Sequence, residues 1–273
     1  MTLASRLGTM QGRLVPSSNG ELQCGPGARW AEEFSIASCV RLAHIELMAE
    51  RVPESTNPIW SARGRRAIRE VVASTGVSAP SLCVNETLAE RLDGVDAGAV
   101  LASRLTPVAS ELHLRTIVLP LDEASALEAV DWRRAADSLR ALESALRPIG
   151  TTIALEMNVS AETSMQFLDL VDVDAVGLCY DVGNATALGF SAASELRTLG
   201  SRVVHVHAKD KDDAGMNVEF GTGKVPFQAA LAALHDIKFD GLITMEASRG
   251  ENPIRTAEKN REWLLALDRD DGS

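Results

Sequence analysis

The sequence lacks the features that define several large classes of protein. Its 27 lysines and arginines are outnumbered by 38 aspartates and glutamates, which gives a formal charge of −11, and no block of basic residues occurs. The basic surface expected of a nucleic-acid-binding protein is therefore missing. No run approaches the roughly 18 uncharged apolar residues of a membrane span, and the N-terminus has no sustained apolar stretch of the kind found in signal peptides. We expect a cytoplasmic protein with neither nucleic acid nor membrane as a partner.

The cysteine and glycine patterns exclude two further kinds of site. The four cysteines form no C-x-x-C pair, so we expect reduced thiols and neither a disulfide framework nor a structural zinc site; they are Cys24, Cys39, Cys83 and Cys179. The segment GTGK at residues 221–224 superficially resembles a phosphate-binding loop. Val225 stands where that motif requires Ser or Thr, however, and the required spacing is absent. We interpret this segment as a turn.

Short apolar runs alternate with longer segments of helical periodicity. Eight runs are predicted to be strands, at residues 6–10, 43–48, 76–84, 114–119, 151–156, 175–181, 202–207 and 241–246. Helical segments lie between them, and a last helix is predicted at residues 253–267. This alternation predicts an α/β fold, and the length of 273 residues fits one barrel. We expect a single (β/α)8 TIM barrel over residues 1–273, with its active site at the C-terminal strand ends and a frayed tail from about residue 268.

Four of the later predicted strands end in a side chain that can bind a metal ion. Glu156, Asp181, His207 and Glu246 close the fifth to eighth strands. Because the C-terminal ends of parallel strands meet at one rim of a barrel, these side chains are expected to converge. Three carboxylates and one imidazole suit Mn²⁺, Mg²⁺, Co²⁺ or Zn²⁺. The sequence predicts one divalent metal ion at this rim and no other cofactor.

The four residues together argue for a metal more strongly than any one of them does. A single carboxylate at a strand end is more often a helix cap or a surface charge. Charged side chains are almost never buried unpaired, so three carboxylates and a histidine at one barrel mouth require either a cation or a network of cationic side chains. His205, deeper on the seventh strand, is expected to be a hydrogen-bonded core residue or a partner of the ligands.

Several short motifs stand in a characteristic order along nearly the whole chain. They are GTMQGRL at 8–14, WAEEF at 30–34, HIE at 44–46, ALE at 154–156, YDVGN at 180–184, HVHAKD at 205–210, GTG at 221–223 and ME at 245–246. In this order and spacing they resemble the xylose isomerase-like TIM-barrel superfamily, in particular its sugar phosphate isomerase/epimerase branch, which includes ketose 3-epimerases.

The resemblance implies a metal held by Glu156, Asp181, His207 and Glu246, with both glutamates also serving as acid and base groups. The sequence departs from the ketose 3-epimerases of free sugars at two positions. Asn184 replaces their usual substrate-binding histidine, and the arginine that those enzymes carry six residues beyond the metal-binding histidine is missing. The metal-facing half of the site therefore resembles the family more closely than the substrate-facing half.

This set of residues suits proton transfer beside a carbonyl group. A sugar with adjacent carbonyl and hydroxyl oxygens could chelate the ion, which would stabilise the enediolate formed when the neighbouring C–H proton is removed. Epimerisation needs a proton-transfer group on each face of that intermediate, and Glu156 and Glu246 stand apart around the rim. We expect a divalent-metal-dependent isomerase or epimerase of a small sugar or sugar phosphate.

Three alternative functions are compatible with parts of this pattern. A metal-dependent dehydratase or lyase would share the first step but expel a hydroxyl group. An apurinic-site endonuclease has the same fold, but it requires a multinuclear zinc site with more histidines than the five present and a basic surface. A non-catalytic binding barrel that keeps the site is the third alternative.

Other polar side chains at or just beyond predicted strand ends are candidates for binding the substrate. They are Glu46, Asn184, Lys209, Asp210 and Arg249, with Arg13, Glu86, Asn158 and Lys211 as further ones. Lys209, Lys211 and Arg249 are suited to a sugar phosphate because a phosphate requires fixed positive donors. The alternative is ion pairing with Asp210, Asp212 or Glu251. The family that the chain resembles often forms dimers or tetramers, so a homo-oligomer is compatible with the sequence.

Overall fold

The structure is a computed structural model that describes residues 2–16, 25 and 27–270, and side chains as far as Asp268. Three of the four cysteines lie in this part of the chain, and Cys39, Cys83 and Cys179 are free thiols, as expected. Cys24 lies outside the described residues, and so does the end of the predicted frayed tail at 271–273.

Eight parallel strands close into a barrel, and every predicted strand is confirmed with bounds shifted by at most about two residues. The eight barrel strands are β1 (Leu7–Met10), β2 (His44–Ala49), β3 (Ser78–Val84), β4 (Thr116–Leu121), β5 (Thr152–Met157), β6 (Val176–Asp181), β7 (Val203–Ala208) and β10 (Leu242–Met245). Two short strands, β8 (Asp210–Lys211) and β9 (Asn217–Val218), lie between β7 and β10 in the chain. The barrel order is β1-β10-β7-β6-β5-β4-β3-β2, and β8 and β9 pair with each other in a separate two-stranded sheet.

Helices separate the barrel strands. They are α1 (Trp30–Cys39), α2 (Ala62–Thr75), α3 (Glu86–Ala89), α4 (Ala97–Leu112), α5 (Trp132–Leu146), α6 (Ala161–Val171), α7 (Val182–Ala187), α8 (Ala192–Leu199), α9 (Phe227–Asp236) and α10 (Pro253–Asp270). Short 3-10 turns occur at Leu3–Ser5, Gly27–Arg29, Pro58–Trp60, Glu123–Ser125, Arg147–Ile149 and Gly200–Arg202. Helix α10 continues to Asp270, so the tail that we expected to fray from about residue 268 is still helical there. Among the described helices, none combines the length and apolarity needed to cross a membrane.

The chain divides by its internal contacts into two compact units. The first comprises Met1–Glu46, Ser74–Ser78 and Tyr180–Ser273, and the second comprises Leu47–Ala73 and Ala79–Cys179. Leu7, Phe34 and Val206 belong to the buried core of the first unit, whereas Ile117, Leu139 and Phe167 belong to that of the second. The expectation of one domain over residues 1–273 stays a prediction.

The segment between β7 and α9 is more regular than the sequence predicted. We expected residues 209–225 to be irregular, but β8 and β9 form an antiparallel ribbon within them. The side chain of Asp212 closes the ribbon turn, because its Oδ1 accepts hydrogen bonds from the backbone N–H groups of Ala214 and Met216, each at 2.9 Å. Two-residue strands carry too little hydrophobic pattern to be recognised in a sequence.

A glycine on β1 leaves room for a buried histidine inside the first unit. Gly8 is in register with His44 of β2 and with Thr244 of β10. A Cβ atom at Gly8 would lie 2.4 Å from three atoms of the His44 ring. With no side chain at Gly8, the Nε2 atom of His44 lies 3.1 Å from the Oγ1 atom of Thr244. His44 and Thr244 therefore form a buried polar contact, and Thr244 also contacts His205, which is described with the candidate site below.

A buried carboxylate on α1 holds the loop that follows β1. Glu33 is fully buried, and its two oxygens accept hydrogen bonds from the backbone N–H groups of Gly12 at 2.8 Å and Leu14 at 2.9 Å. Desolvation raises the pKa of Glu33 to about 7, although those backbone hydrogen bonds and the charges of Arg249 and Arg13 oppose the rise. The hydrogen bonds fix the backbone on both sides of Arg13.

The close approach of β1 and His44 leads to a first prediction. We expect Gly8→Ala to lower the free energy of unfolding by about 1–3 kcal/mol, because the new methyl group overlaps the His44 ring. Urea unfolding measures the loss. The double variant Gly8→Ala/His44→Ala is expected to lose less than the sum of the two single variants, and strict additivity would contradict this explanation.

The raised pKa of Glu33 leads to a prediction about pH. The folded protein binds this proton more tightly than the unfolded chain, whose glutamate pKa is near 4.5. The stabilising contribution is therefore complete below about pH 4.5 and is lost as the pH rises through about 7, with a total change of about 3 kcal/mol. Urea unfolding from pH 4.5 to 8 is expected to show this decline in the parent protein and in the exposed control Glu32→Gln. The same decline in Glu33→Gln would contradict the prediction.

Candidate active site at the strand ends

Three of the four predicted ligands lie within the first unit. Asp181 is the last residue of β6, His207 is on β7, and Glu246 directly follows β10. All three are buried, with exposed fractions of 5%, 0% and 3%. Glu156 lies in the second unit near the end of β5, where it is half-buried and in register with Cys179 of β6. Each residue therefore stands at the C-terminal end of its strand, as the sequence predicted.

Glu46 joins the two histidines of β7. Its Oε1 atom lies 2.8 Å from Nε2 of His207, and its Oε2 atom lies 2.8 Å from Nε2 of His205. Full burial raises the pKa of the Glu46 carboxyl, but the charges and hydrogen bonds of His205 and His207 outweigh this effect and hold the pKa well below its ordinary value. Glu46 is therefore an ionised carboxylate, which only accepts hydrogen bonds.

The hydrogen bond to Glu46 determines which nitrogen of His207 faces the strand ends. Since the carboxylate only accepts, Nε2 of His207 carries a proton and donates it. The other ring nitrogen, Nδ1, lies 3.5 Å from the Oε2 atom of Glu246. Glu46 has no exposed surface and contacts both histidines, and its expected contact with substrate stays a prediction. The expectation that His205 is a buried, hydrogen-bonded residue is confirmed, because its Nε2 also lies 3.1 Å from Oγ1 of Thr244.

Lys209 bridges two of the predicted ligands. Its Nζ atom lies 2.7 Å from Oδ2 of Asp181 and 2.7 Å from Oε2 of Glu246. Arg13 approaches the other oxygen of Glu246, with Nη2 at 3.5 Å from Oε1. From the sequence, Lys209 was expected either to bind a sugar phosphate or to form an ion pair. The acids considered as partners for that ion pair were Asp210, Asp212 and Glu251. The sequence alone gave no sign that the strand-end carboxylates would be its partners.

The cations around Glu246 control its ionisation. Burial raises the pKa of the Glu246 carboxyl, but the charges of Lys209, His207 and Arg13 lower it to about 2. Glu246 is consequently a carboxylate at neutral pH, as a metal ligand or a general base has to be.

The carboxylate of Asp210 supports a loop, and its expected role in substrate binding stays a prediction. Its Oδ1 atom accepts hydrogen bonds from the N–H groups of Lys211 and Val225, at 2.9 and 3.1 Å, and its Oδ2 atom from those of Gly221 and Gly223, both at 2.9 Å. A buried carboxylate that accepts four backbone donors orders the GTGK segment. The interpretation of that segment as a turn, and not as a nucleotide site, is consistent with these contacts.

Asn184, Arg249 and Lys211 each take part in a hydrogen bond between a backbone group and a side chain. The N–H group of Asn184 donates to Oδ1 of Asp181 at 2.7 Å, so Asp181 caps the helix α7 that follows its own strand. Nε of Arg249 donates to the carbonyl oxygen of Gly12 at 2.6 Å, and Nζ of Lys211 to that of Gly215 at 3.1 Å. These bonds connect the two basic side chains to the loops that follow β1 and β8.

Two further candidates lie in the second unit. Glu86 pairs with Arg104 at 2.6 Å, and Nδ2 of Asn158 donates to Oδ2 of Asp122 at 2.9 Å. Glu33 and Thr244, by contrast, contribute to the site region and were not among the expected functional residues. The sequence contained one indication that Glu33 is buried. It lies four residues before Ala37, and so on the same buried face of α1.

Comparisons with known proteins agree with this architecture. The L-ribulose-5-phosphate 3-epimerase UlaE of Salmonella paratyphi C (strain RKS4594) is 27% identical over 274 residues, which cover 94% of this chain and 96% of that protein. The structure of an L-ribulose 3-epimerase matches 98% of this chain and 96% of its own with a TM-score of 0.77 and 16% identity. The structure of the IOLI protein with a zinc atom matches 96% of this chain and 98% of its own, with a TM-score of 0.73 and 17% identity.

A family model supplies the assignment. The model described as xylose isomerase-like TIM barrel matches residues 42–267, which is most of the chain and includes all four predicted ligands. The fold, the strand order and this match agree with the resemblance seen in the sequence motifs. The chain therefore belongs to the xylose isomerase-like TIM barrel family.

Proposed function

We propose that the protein is a divalent-metal-dependent epimerase or isomerase that acts on a small sugar or sugar phosphate. One observation carries the proposal. Within the first unit, Asp181, His207 and Glu246 each offer one ligand atom, and these atoms lie within 4.8 Å of one another. Glu156, at the end of β5, is the proposed fourth ligand. The full-length relationship to an L-ribulose-5-phosphate 3-epimerase supports the reaction class.

The donor set fits a divalent metal ion. Three carboxylates and one imidazole are ligands suited to Mn²⁺, Mg²⁺, Co²⁺ or Zn²⁺. The hydrogen bond from Nε2 of His207 to Glu46 is the arrangement by which a carboxylate commonly orients a metal-binding histidine, with Nδ1 as the coordinating atom. A bound metal would polarise the carbonyl and hydroxyl oxygens of a sugar and so acidify the adjacent C–H group.

The two glutamates are the proposed proton-transfer groups. Glu246 is ionised because of the surrounding cations, so it can accept a proton from a substrate carbon. Glu156 is half-buried at the end of β5, and the strands β6 and β7 separate β5 from β10 in the barrel order. An epimerisation needs two such groups, because a proton leaves one face of the carbon and another returns to the opposite face.

Of the two substrate classes, we propose a sugar phosphate and not a free sugar. The curated relative acts on L-ribulose 5-phosphate. In this chain, Arg13 and Arg249 lie on the loops after β1 and β10, and Lys211 is the last residue of β8. Burial, followed by the charge of Lys209, lowers the pKa of Lys211, whereas the charges of Asp181, Glu246 and Asp212 oppose the shift. Asp213, at the position of the arginine of free-ketose epimerases, pairs instead with Lys224.

Isotope exchange tests the proposed reaction. The Mn²⁺-loaded protein, incubated in D₂O with a panel of ketoses and ketose phosphates, is expected to place deuterium on carbon in at least one ketose phosphate. Glu156→Gln and Glu246→Gln are each expected to slow the exchange by about 10²–10⁴-fold, because each removes a proton-transfer group. The exposed residues Glu162 and Glu258 provide matched Glu→Gln controls. The proposal would be refuted by exchange that survives both active-site substitutions, or by no exchange with any sugar of the panel.

The orienting role of Glu46 makes a separate prediction about metal affinity. Glu46→Gln replaces one acceptor oxygen by an NH2 group, so one histidine N–H faces a donor. We expect the dissociation constant for Mn²⁺, measured by titration calorimetry, to rise about 10–100-fold. Glu143→Gln changes another buried carboxylate, one that pairs with Arg147, and should leave the constant unchanged. Equal affinities of the Glu46→Gln variant and the parent protein would contradict the orienting role.

A further inference from the structure

The ammonium group of Lys209 lies among atoms that the proposed metal site needs. Its Nζ is 2.7 Å from an oxygen of Asp181 and 2.7 Å from an oxygen of Glu246. The three side chains have exposed fractions of only 7%, 2% and 4%, so water contributes little to their solvation. Two buried carboxylates require a neutralising cation, and Lys209 supplies one from the chain itself.

A glycine leaves space for the side chain of Lys209. Gly183, in the first turn of α7, lies directly against its stem, and a Cβ at Gly183 would be 2.3 Å from Cγ of Lys209 and 2.6 Å from its carbonyl oxygen. The absence of a side chain at Gly183 therefore lets Lys209 pass close to the helix that Asp181 caps. The bridging position of Nζ is thus supported by packing as well as by charge.

We propose that Lys209 is a placeholder for the divalent metal ion, which must displace the Nζ atom from Asp181 and Glu246 in order to bind. This inference rests on the proposed metal site. A metal ion binds a carboxylate oxygen at about 2.1 Å, so an ion on either of these oxygens would lie less than about 5 Å from an undisplaced Nζ. A dication and an ammonium group at that separation repel each other, and both draw on the same oxygens. Lys209 therefore stabilises the metal-free protein and lowers its affinity for the metal.

Metal titrations of Lys209 variants test this competition. We expect Lys209→Met to bind Mn²⁺ at least about tenfold more tightly than the parent protein, because the variant has no ammonium to displace. Lys209→Arg keeps a cation and should stay closer to the parent. The matched control is Lys211→Met, which removes the same charge from a side chain that bonds to the carbonyl of Gly215, and it should change the affinity less than about threefold.

A second measurement covers the case in which Lys209→Met is poorly folded without metal. The variant is then purified with Mn²⁺, and its metal is withdrawn with a chelator of known affinity. Retention against a higher chelator concentration than the parent protein withstands supports the placeholder role. In thermal melts, the Mn²⁺-induced rise of the midpoint should likewise be larger for Lys209→Met than for the parent.

The outcomes separate this inference from the function on which it rests. If the parent protein binds Mn²⁺, Asp181→Asn abolishes the binding, and Lys209→Met binds equally or more weakly, the placeholder role is wrong and the metal site stands. If Lys211→Met tightens binding as much as Lys209→Met, general electrostatics explains the effect and the placeholder role is again wrong. If the parent protein binds no Mn²⁺, both the metal site and the inference fail.

Discussion

The arrangement of the candidate site depends on the carboxylate of Glu46. It lies inside the barrel without exposed surface and accepts one hydrogen bond from each histidine of β7. An ionised carboxylate in this position fixes the proton on Nε2 of His207 and thereby turns Nδ1 toward Glu246. If His207 had the opposite tautomer, two lone pairs would face each other in a buried space. The orientation of the proposed metal-binding histidine is thus determined below the rim, before any ligand arrives.

The charges above Glu46 are balanced within the same unit. Lys209 contacts Asp181 and Glu246, and Arg13 contacts Glu246, so buried basic side chains offset the charge of these buried carboxylates. Around them, Glu33 and Asp210 fix the loops after β1 and β9 by accepting backbone hydrogen bonds. Buried acids therefore have two roles in this region. Glu33 and Asp210 accept hydrogen bonds from the backbone, whereas Asp181 and Glu246 pair with Lys209 and are the proposed metal ligands.

The sequence predicts the barrel and the ligand positions better than it predicts the partners of each side chain. The eight strands are readable because parallel strands covered on both faces are continuous apolar runs, and the ends of β5, β6, β7 and β10 follow from those runs. Glu46, Asp210 and Lys209 were predicted to bind substrate, which stays untested, and the sequence did not predict that they contact histidines, backbone amides and carboxylates, respectively. Spacing along the chain gives the rim position of a residue, but the direction and partner of its side chain depend on neighbours that are remote in sequence.

We propose that the strand-end residues form a metal site in which His207 binds through Nδ1. Anomalous diffraction from a crystal soaked with Mn²⁺ would locate the metal. We expect one anomalous peak within coordination distance of Nδ1 of His207 and of oxygens of Glu156, Asp181 and Glu246, with Nε2 of His207 still bonded to Glu46. A peak that contacts Nε2 instead, or that lies away from these four residues, would contradict it.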